Sequence, residues 1–239
     1  MTDAPSVAGA LNFRDVGGLP ASRGRTRSGV LFRSGNLARL SGEGRAALGA
    51  LGVRRIVDLR ADDEVAFEPS LVDGLGIETL RAPLFLGSSA SFFIDDISLP
   101  DMYRALVDAG ADRIVEVVRA VIETQPVLVH CTVGKDRTGV AVAVMLAAAG
   151  VDRAAVVDDY ARTEALLPPE RNARVLAYLR RQHPAARHLE DLATRSPAPV
   201  MRALLDDLDT RFGSPADYLR AQGVRDDELA ELRDVLIAP

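Results

Sequence analysis

The 239-residue sequence predicts an α/β fold, with a mostly parallel central sheet flanked by helices and a helical cap at the C-terminal end. Three patterns carry that prediction. Short β-branched runs alternate with helix-period segments through the first two-thirds of the chain. One segment, 140–149, is apolar on every face and lies soon after a short apolar run. Beyond Asp152 the sequence reads as helix, broken only at proline and glycine.

Residues 30–32 form the first strand. Ser41 then offers a capping hydroxyl ahead of Ala46, Leu48 and Leu51, which predicts a helix. The run 53–59 (VRRIVDL) is β-branched and ends in charge, as a buried strand does, and 77–81 supplies another. Pro100 and Asp101 open a helix to about residue 108, with proline in the first turn and a carboxylate at the positive end of the dipole. Over 112–124, Ile114, Val115, Val117, Val118, Val121 and Ile122 share one helical face. Residues 126–129 are a strand leading into His130 and Cys131. The segment from about 138 to 149 is a central, fully buried helix. The helical remainder breaks near Pro168–Pro169, Pro184, Pro197, Pro199 and Gly213. We read a single domain over 1–239, in which about 168–212 form a helical lid or cap.

Composition narrows the functional classes. A net charge of −5 leaves no basic footprint for nonspecific nucleic-acid binding. The apolar segment 140–149 is too short to span a bilayer. No charged n-region and apolar h-region open the chain, which predicts a cytoplasmic protein or one exported by a non-classical route. A single cysteine rules out a disulfide framework and a multi-cysteine zinc site, and nothing in the sequence calls for a metal or cofactor. Of 29 basic side chains only Lys135 is a lysine, and it stands four positions after Cys131.

That neighbourhood is the informative one: Val129-His130-Cys131-Thr132-Val133-Gly134-Lys135-Asp136-Arg137-Thr138-Gly139. A cysteine leaves a strand, five residues intervene, and an arginine opens a helix. A loop wrapping into a helix N-terminus turns successive amides, here those of Thr132, Val133, Gly134 and Lys135, toward a tetrahedral anion. The same amides and the helix dipole stabilise a thiolate at Cys131. Arg137 is placed to clamp two phosphate oxygens as a bidentate fork. Gly134 lets the backbone turn where a side chain would obstruct it. The Thr138 hydroxyl is expected to bond the sulfur, and His130 to orient the loop through its ring nitrogens. A Walker A reading fails, since Val129 and Asp136 stand where Gly and Ser or Thr are required.

The string HCTVGKDRTG resembles the atypical bacterial cysteine-dependent tyrosine phosphatases, a family that includes a mycobacterial secreted enzyme. Other stretches agree in kind and order: Asn12 to Gly18, Leu31 to Ser34, Val57 to Arg60, Asp158 to Tyr160, and Tyr218 to Arg220 followed by Gly223. The resemblance spans about 10–237 and implies a tyrosine-phosphatase-like fold and a phosphocysteine intermediate. Its substrate would be a phosphorylated protein or a phosphoinositide. It also implies a general acid inside the phosphate loop, which maps onto Asp136. Asp58, at a strand end, and Asp101, in Leu-Pro-Asp, remain rival acids; each also has a structural reading, as a salt bridge and as a helix-start carboxylate. Lys135 is expected as a second cation beside the phosphate, and the Gly-Lys-x-Arg loop resembles that of phosphoinositide phosphatases. A helical pair over the site is implied as well, matching the amphipathic stretch 172–182. Phe92, Phe93 and Tyr103 are candidates for the pocket mouth. Two other classes stay in view: a catalytically silent phosphate-binding module, and a sulfurtransferase.

Overall fold

The structure, a computed structural model, describes residues 6–84 and 95–239. Its main sheet has five strands: β1 (Arg14–Asp15), β4 (Leu31–Ser34), β5 (Arg55–Asp58), β6 (Glu78–Arg81) and β7 (Val127–His130). Their spatial order is β1-β4-β7-β5-β6, parallel throughout except for antiparallel β1 at the edge. Side chains alternate across it as pleating demands. Phe32, Ile56 and Leu128 face α1 (Gly42–Ala50) together with Leu37 and Leu48. Leu31, Val57, Val127 and Val129 face the larger core on the other side. Ser41 caps α1 as expected, its Oγ accepting from the Gly44 amide at 3.0 Å.

The larger core is built around α5 (Asp136–Ala149), apolar all round and almost wholly buried. A helix with no polar face must be covered on every side, and here it is. It packs against α3 (Leu99–Ala109), α4 (Ala111–Glu123), α6 (Arg153–Leu166), α10 (Pro215–Ala221) and α11 (Asp226–Leu236). Helix α9 (Ala198–Phe212) joins this core through Met201, Leu204, Leu205 and Leu208. Two helices stand apart with a small apolar cluster of their own: α7 (Pro169–Gln182) and α8 (Leu189–Thr194), joined by Leu179, Leu189 and Ala193. The helical third therefore divides, and 169–194 is the part that covers the loop after β7. No helix among the described residues is long and apolar enough to cross a membrane.

Three features lie outside the predicted elements, the edge strand β1 among them. A short helix, α2 (Asp62–Phe67), follows β5, and β2 (Pro20–Ala21), β3 (Gly24–Thr26) and β8 (Ile237–Ala238) form a small antiparallel sheet. The register matters most for function. Ser34, His130, Asp58 and Arg81 align at the carboxyl edge of four neighbouring strands. The loops that leave β4, β7 and β5 consequently open on one crevice, where parallel sheets bind ligands.

Candidate active site

Cys131 leaves the central strand at that edge. The turn after it is possible only for glycine: Gly134 has φ of +73°, and a Cβ there would lie 2.3 Å from the Ser34 carbonyl oxygen. So turned, the Gly134 amide donates to Cys131 Sγ at 3.3 Å. The amides of Thr132, Val133 and Lys135 donate to no acceptor among the described residues. Left without acceptors, they and the first turn of α5 are available to an anion. Cys131 is 3% exposed, and its loop neighbours Thr132, Val133, Asp136 and Arg137 line a cavity of about 580 Å³. His130 is fully buried, and burial holds its pKa below the ordinary value against the opposing pull of Asp58. The neutral ring donates from Nδ1 to the Cys131 carbonyl at 3.2 Å, which orients the loop.

A buried charge cluster braces the loop from behind. Asp159 on α6 accepts from Arg14 Nε at 2.7 Å and from Arg33 Nη1 at 2.6 Å, all three side chains being no more than 3% exposed. Burial would raise the Asp159 pKa, but the two guanidiniums overcome it and hold the carboxyl ionised. Arg33 Nη2 and Asn12 Nδ2 then donate to the Gly134 carbonyl at 3.0 and 2.9 Å. The carbonyl is thus pulled away from the nest while the amide faces the sulfur.

Arg137 is held by a residue the sequence reading missed. Glu64, on α2, accepts from Arg137 Nη1 at 2.6 Å and from Nη2 at 2.8 Å. Thr132 Oγ1 accepts from Nη2 at 3.1 Å and itself donates to Glu64, and Leu59 O accepts from Nη1 at 3.4 Å. Burial works to raise the Glu64 pKa, yet these bonds and the charge of Arg137 bring it down to about 2. Burial likewise opposes the charge on Arg137, while Glu64, Cys131 and Asp136 raise its pKa above the ordinary value. Four of its five N–H vectors are committed to the protein, leaving Nε–H for an anion. The bidentate clamp expected from sequence therefore requires Thr132 to release Nη2.

Asp136 sits at the cavity wall, its Oδ1 2.7 Å from both Lys135 Nζ and the Tyr103 hydroxyl. Tyr103 is fully buried, and burial, then Asp136 and Tyr160, push its pKa well up, so it stays a donor. Its proton being committed to Asp136, the Tyr160 hydroxyl at 2.7 Å donates to it in turn. Lys135 is 1% exposed and its Nζ also donates to Asp191 O at 3.1 Å and Arg195 O at 2.9 Å. A cation at the last carbonyls of α8 is a helix C-cap, tying the overlying helices to the loop.

Several sequence expectations change in consequence. Lys135 does not point its ammonium at the nest; the cap claims it. Thr138 Oγ1 is buried with no hydrogen-bond partner among the described residues, so the expected bond to sulfur is not made. Both Asp58 oxygens are taken by Arg60, at 2.9 Å from Nε and 2.7 Å from Nη2, and Asp58 does not line the cavity. Asp101 is an exposed helix-start carboxylate exchanging hydrogen bonds with Ser98. Tyr103 lies beneath the mouth, whose walls there are Met102 and Leu106. Phe92 and Phe93 fall outside the described residues. For Glu64 the available signal was an acidic helix start, Asp62-Asp63-Glu64, directly after a strand that ends beside the loop.

Comparison with known proteins agrees with this geometry. The chain is 32% identical over 274 aligned positions to the triple specificity protein phosphatase PtpB of Mycobacterium tuberculosis, covering 97% of this chain and 98% of the relative. It is 30% identical to a tyrosine-protein phosphatase of Nostoc commune, over 85% of this chain and 73% of that one. Among solved structures, the core catalytic domain of the PP-IP phosphatase SIW14 from S. cerevisiae matches 90% of this chain and 98% of its own, with 18% identity and a TM-score of 0.42. That last likeness is too distant to bear on mechanism. The model of the tyrosine phosphatase family matches residues 5–238, and the chain belongs to that family of cysteine-dependent phosphatases.

Proposed function

We propose that Cys131 is the nucleophile, Arg137 the phosphate-binding cation and Asp136 the general acid and base of a protein-tyrosine phosphatase occupying the whole chain as one domain. The observation that carries this reading is the convergence, at one cavity, of the nest around Cys131 Sγ, the anchored Arg137 and the Asp136 carboxyl group. In the first step the thiolate attacks phosphorus in line, the S–P bond forms and the aryl O–P bond breaks. Protonated Asp136 gives its proton to the leaving phenoxide. In the second step the Asp136 carboxylate takes a proton from water, which attacks the phosphocysteine, and the S–P bond breaks to release phosphate. Nest amides and Arg137 carry the charge on the equatorial oxygens in both steps.

Helices α7 and α8 act as the lid. A phosphorylated protein is the favoured substrate because the cavity walls beyond the loop are largely apolar: Phe67, Met102, Leu106, Val175, Leu179 and Leu192. An aryl ring gains from such walls. Lys135, the sequence-level ground for a phosphoinositide, is engaged elsewhere.

The test is turnover of aryl phosphates by two variants that keep the wild-type melting temperature. Cys131→Ser should show no measurable turnover while still binding vanadate or phosphate. Asp136→Asn should lose about 10²-fold in kcat with phenyl phosphate, a poor leaving group, and much less with p-nitrophenyl phosphate. Sustained turnover in the serine variant overturns the nucleophile, and equal losses on the two esters overturn the acid.

A further inference from the structure

On the lid side of the loop two arginines stand unused by the chemistry just described. Arg171 and Arg174 lie three residues apart on α7, and both line the cavity that Arg137 and Asp136 share. Both also line a second cavity of about 640 Å³, which meets the same Thr132–Val133 segment and extends toward Asn36, Arg39 and Glu68. The two cavities are therefore adjoining compartments, separated by the loop on one side and the α7 arginines on the other.

Neither guanidinium has a carboxylate partner among the described residues. Arg171 is half-buried, and its one hydrogen bond goes to the neutral amide oxygen of Asn172 at 3.0 Å. Arg174 has no partner among the described residues. The acids nearby do not neutralise them: Glu64 is committed to Arg137, and Glu68 to Asn36 at 2.7 Å and Arg39 at 3.4 Å. Glu170 lines the second cavity and forms no ion pair with either guanidinium. A partly desolvated guanidinium without a counter-charge is costly unless an anion supplies one. In line with this, burial lowers the Arg171 pKa.

The rim says what carries that anion. Phe67 and Tyr178 are large side chains left 86% and 56% exposed, and both border the first cavity. Aromatic side chains kept in water beside a cationic pair suit a chain of amino acids better than a polar ring of hydroxyls and phosphates. We propose that Arg171 and Arg174 form a second anionic subsite that binds an acidic or phosphorylated residue flanking the target phosphotyrosine, with Phe67 and Tyr178 packing on the intervening peptide. This rests on the phosphotyrosine reading given above. The lid is then a reader of sequence context as well as a cover.

The experiment compares kcat/KM for two phosphotyrosine peptides, one with glutamates on both sides of the phosphotyrosine and one with alanines there. Wild type should prefer the acidic peptide by about tenfold, and the preference should shrink as ionic strength rises. In Arg171→Ala/Arg174→Ala the ratio should fall below about threefold, and Arg171→Lys/Arg174→Lys should recover part of it. Equal rates on the two peptides in wild type, or an unchanged ratio in the alanine variant, overturn the subsite. A loss confined to vesicles carrying phosphatidylinositol bisphosphate assigns the arginines to a lipid head group and overturns the peptide reading. Failure of wild type to hydrolyse either peptide, while it still turns over p-nitrophenyl phosphate, overturns the phosphotyrosine assignment itself.

Discussion

The phosphate loop lies between two pairs of arginines that the fold treats in opposite ways. Behind it, Arg14 and Arg33 are buried to 3% exposure or less and are closed onto one carboxylate, Asp159. In front of it, Arg171 and Arg174 line cavities and form no ion pair among the described residues. The same side chain is thus structural where its counter-charge is built in and receptive where it is not. Arg137 stands between the two conditions: Glu64 fixes its direction, and one N–H remains open to a ligand. A guanidinium keeps its charge at any pH the protein meets, so the surroundings alone decide which part it plays.

The sharpest way to break this comparison is to remove the shared acid at the back. Asp159→Ala leaves two guanidiniums buried and uncompensated, a loss of about 3–5 kcal/mol. Thermal unfolding should drop by on the order of 10 °C. Activity should fall with it, because Arg33 and Asn12 hold the Gly134 carbonyl that sets the loop. Arg171→Ala/Arg174→Ala should move the melting temperature by no more than about 1 °C, since neither guanidinium belongs to a paired network in the fold. Equal destabilisation in the two variants would make the front pair structural too.

How much of this was legible beforehand follows from how local each feature is. Cys131, Gly134, Asp136 and Arg137 fall within seven consecutive residues, so the string itself carries the chemistry proposed for the loop. Arg14, Arg33 and Asp159 stood in stretches that resemble the family, but nothing local gives them a role. Their meeting depends on β1, β4 and α6 being neighbours across some 126 to 145 positions of chain. Glu64 is hidden for a further reason. It accepts the Ala61 amide at 2.9 Å as a helix-start glutamate should, so a local reading already accounts for it. Lys135 was misdirected because a lysine follows whichever acceptors the tertiary fold brings near, and the carbonyls ending α8 lie 56 and 60 residues away. The small sheet of β2, β3 and β8 has strands of two or three residues, too short for any period to register.

A smaller effect is expected where the arginine is half structural and half receptive. Glu64→Gln keeps an acceptor for Arg137 but removes the opposing charge, so kcat/KM on an aryl phosphate should fall about tenfold, carried mainly by KM. The pH dependence of stability separates this from a packing defect. Folding lowers the Glu64 pKa from an ordinary 4.5 to about 2, so its ionised form stabilises the fold. That contribution is fully present above pH 4.5 and is lost as pH falls through about 2. The melting-temperature gap between wild type and Glu64→Gln should hold steady from pH 7 to about 5 and then close toward pH 2. A gap that is constant down to pH 2 would mean the substitution acts through shape alone.

The mildest change tests whether Asp136, the proposed acid, is positioned from behind, as the loop is. Tyr103→Phe removes one hydroxyl from a fully buried ring, leaving Asp136 its ion pair with Lys135 and leaving Tyr160 without its acceptor. The maximal kcat should fall about three- to tenfold, because the carboxyl group is no longer aimed from two sides, and KM should stay within about twofold. Phenyl phosphate should suffer more than p-nitrophenyl phosphate, the pattern of a weakened acid. A purely structural tyrosine would lower kcat alike on both esters. That outcome would confine the positioning network to Lys135 and make the lid, through the α8 carbonyls, the acid's only tether.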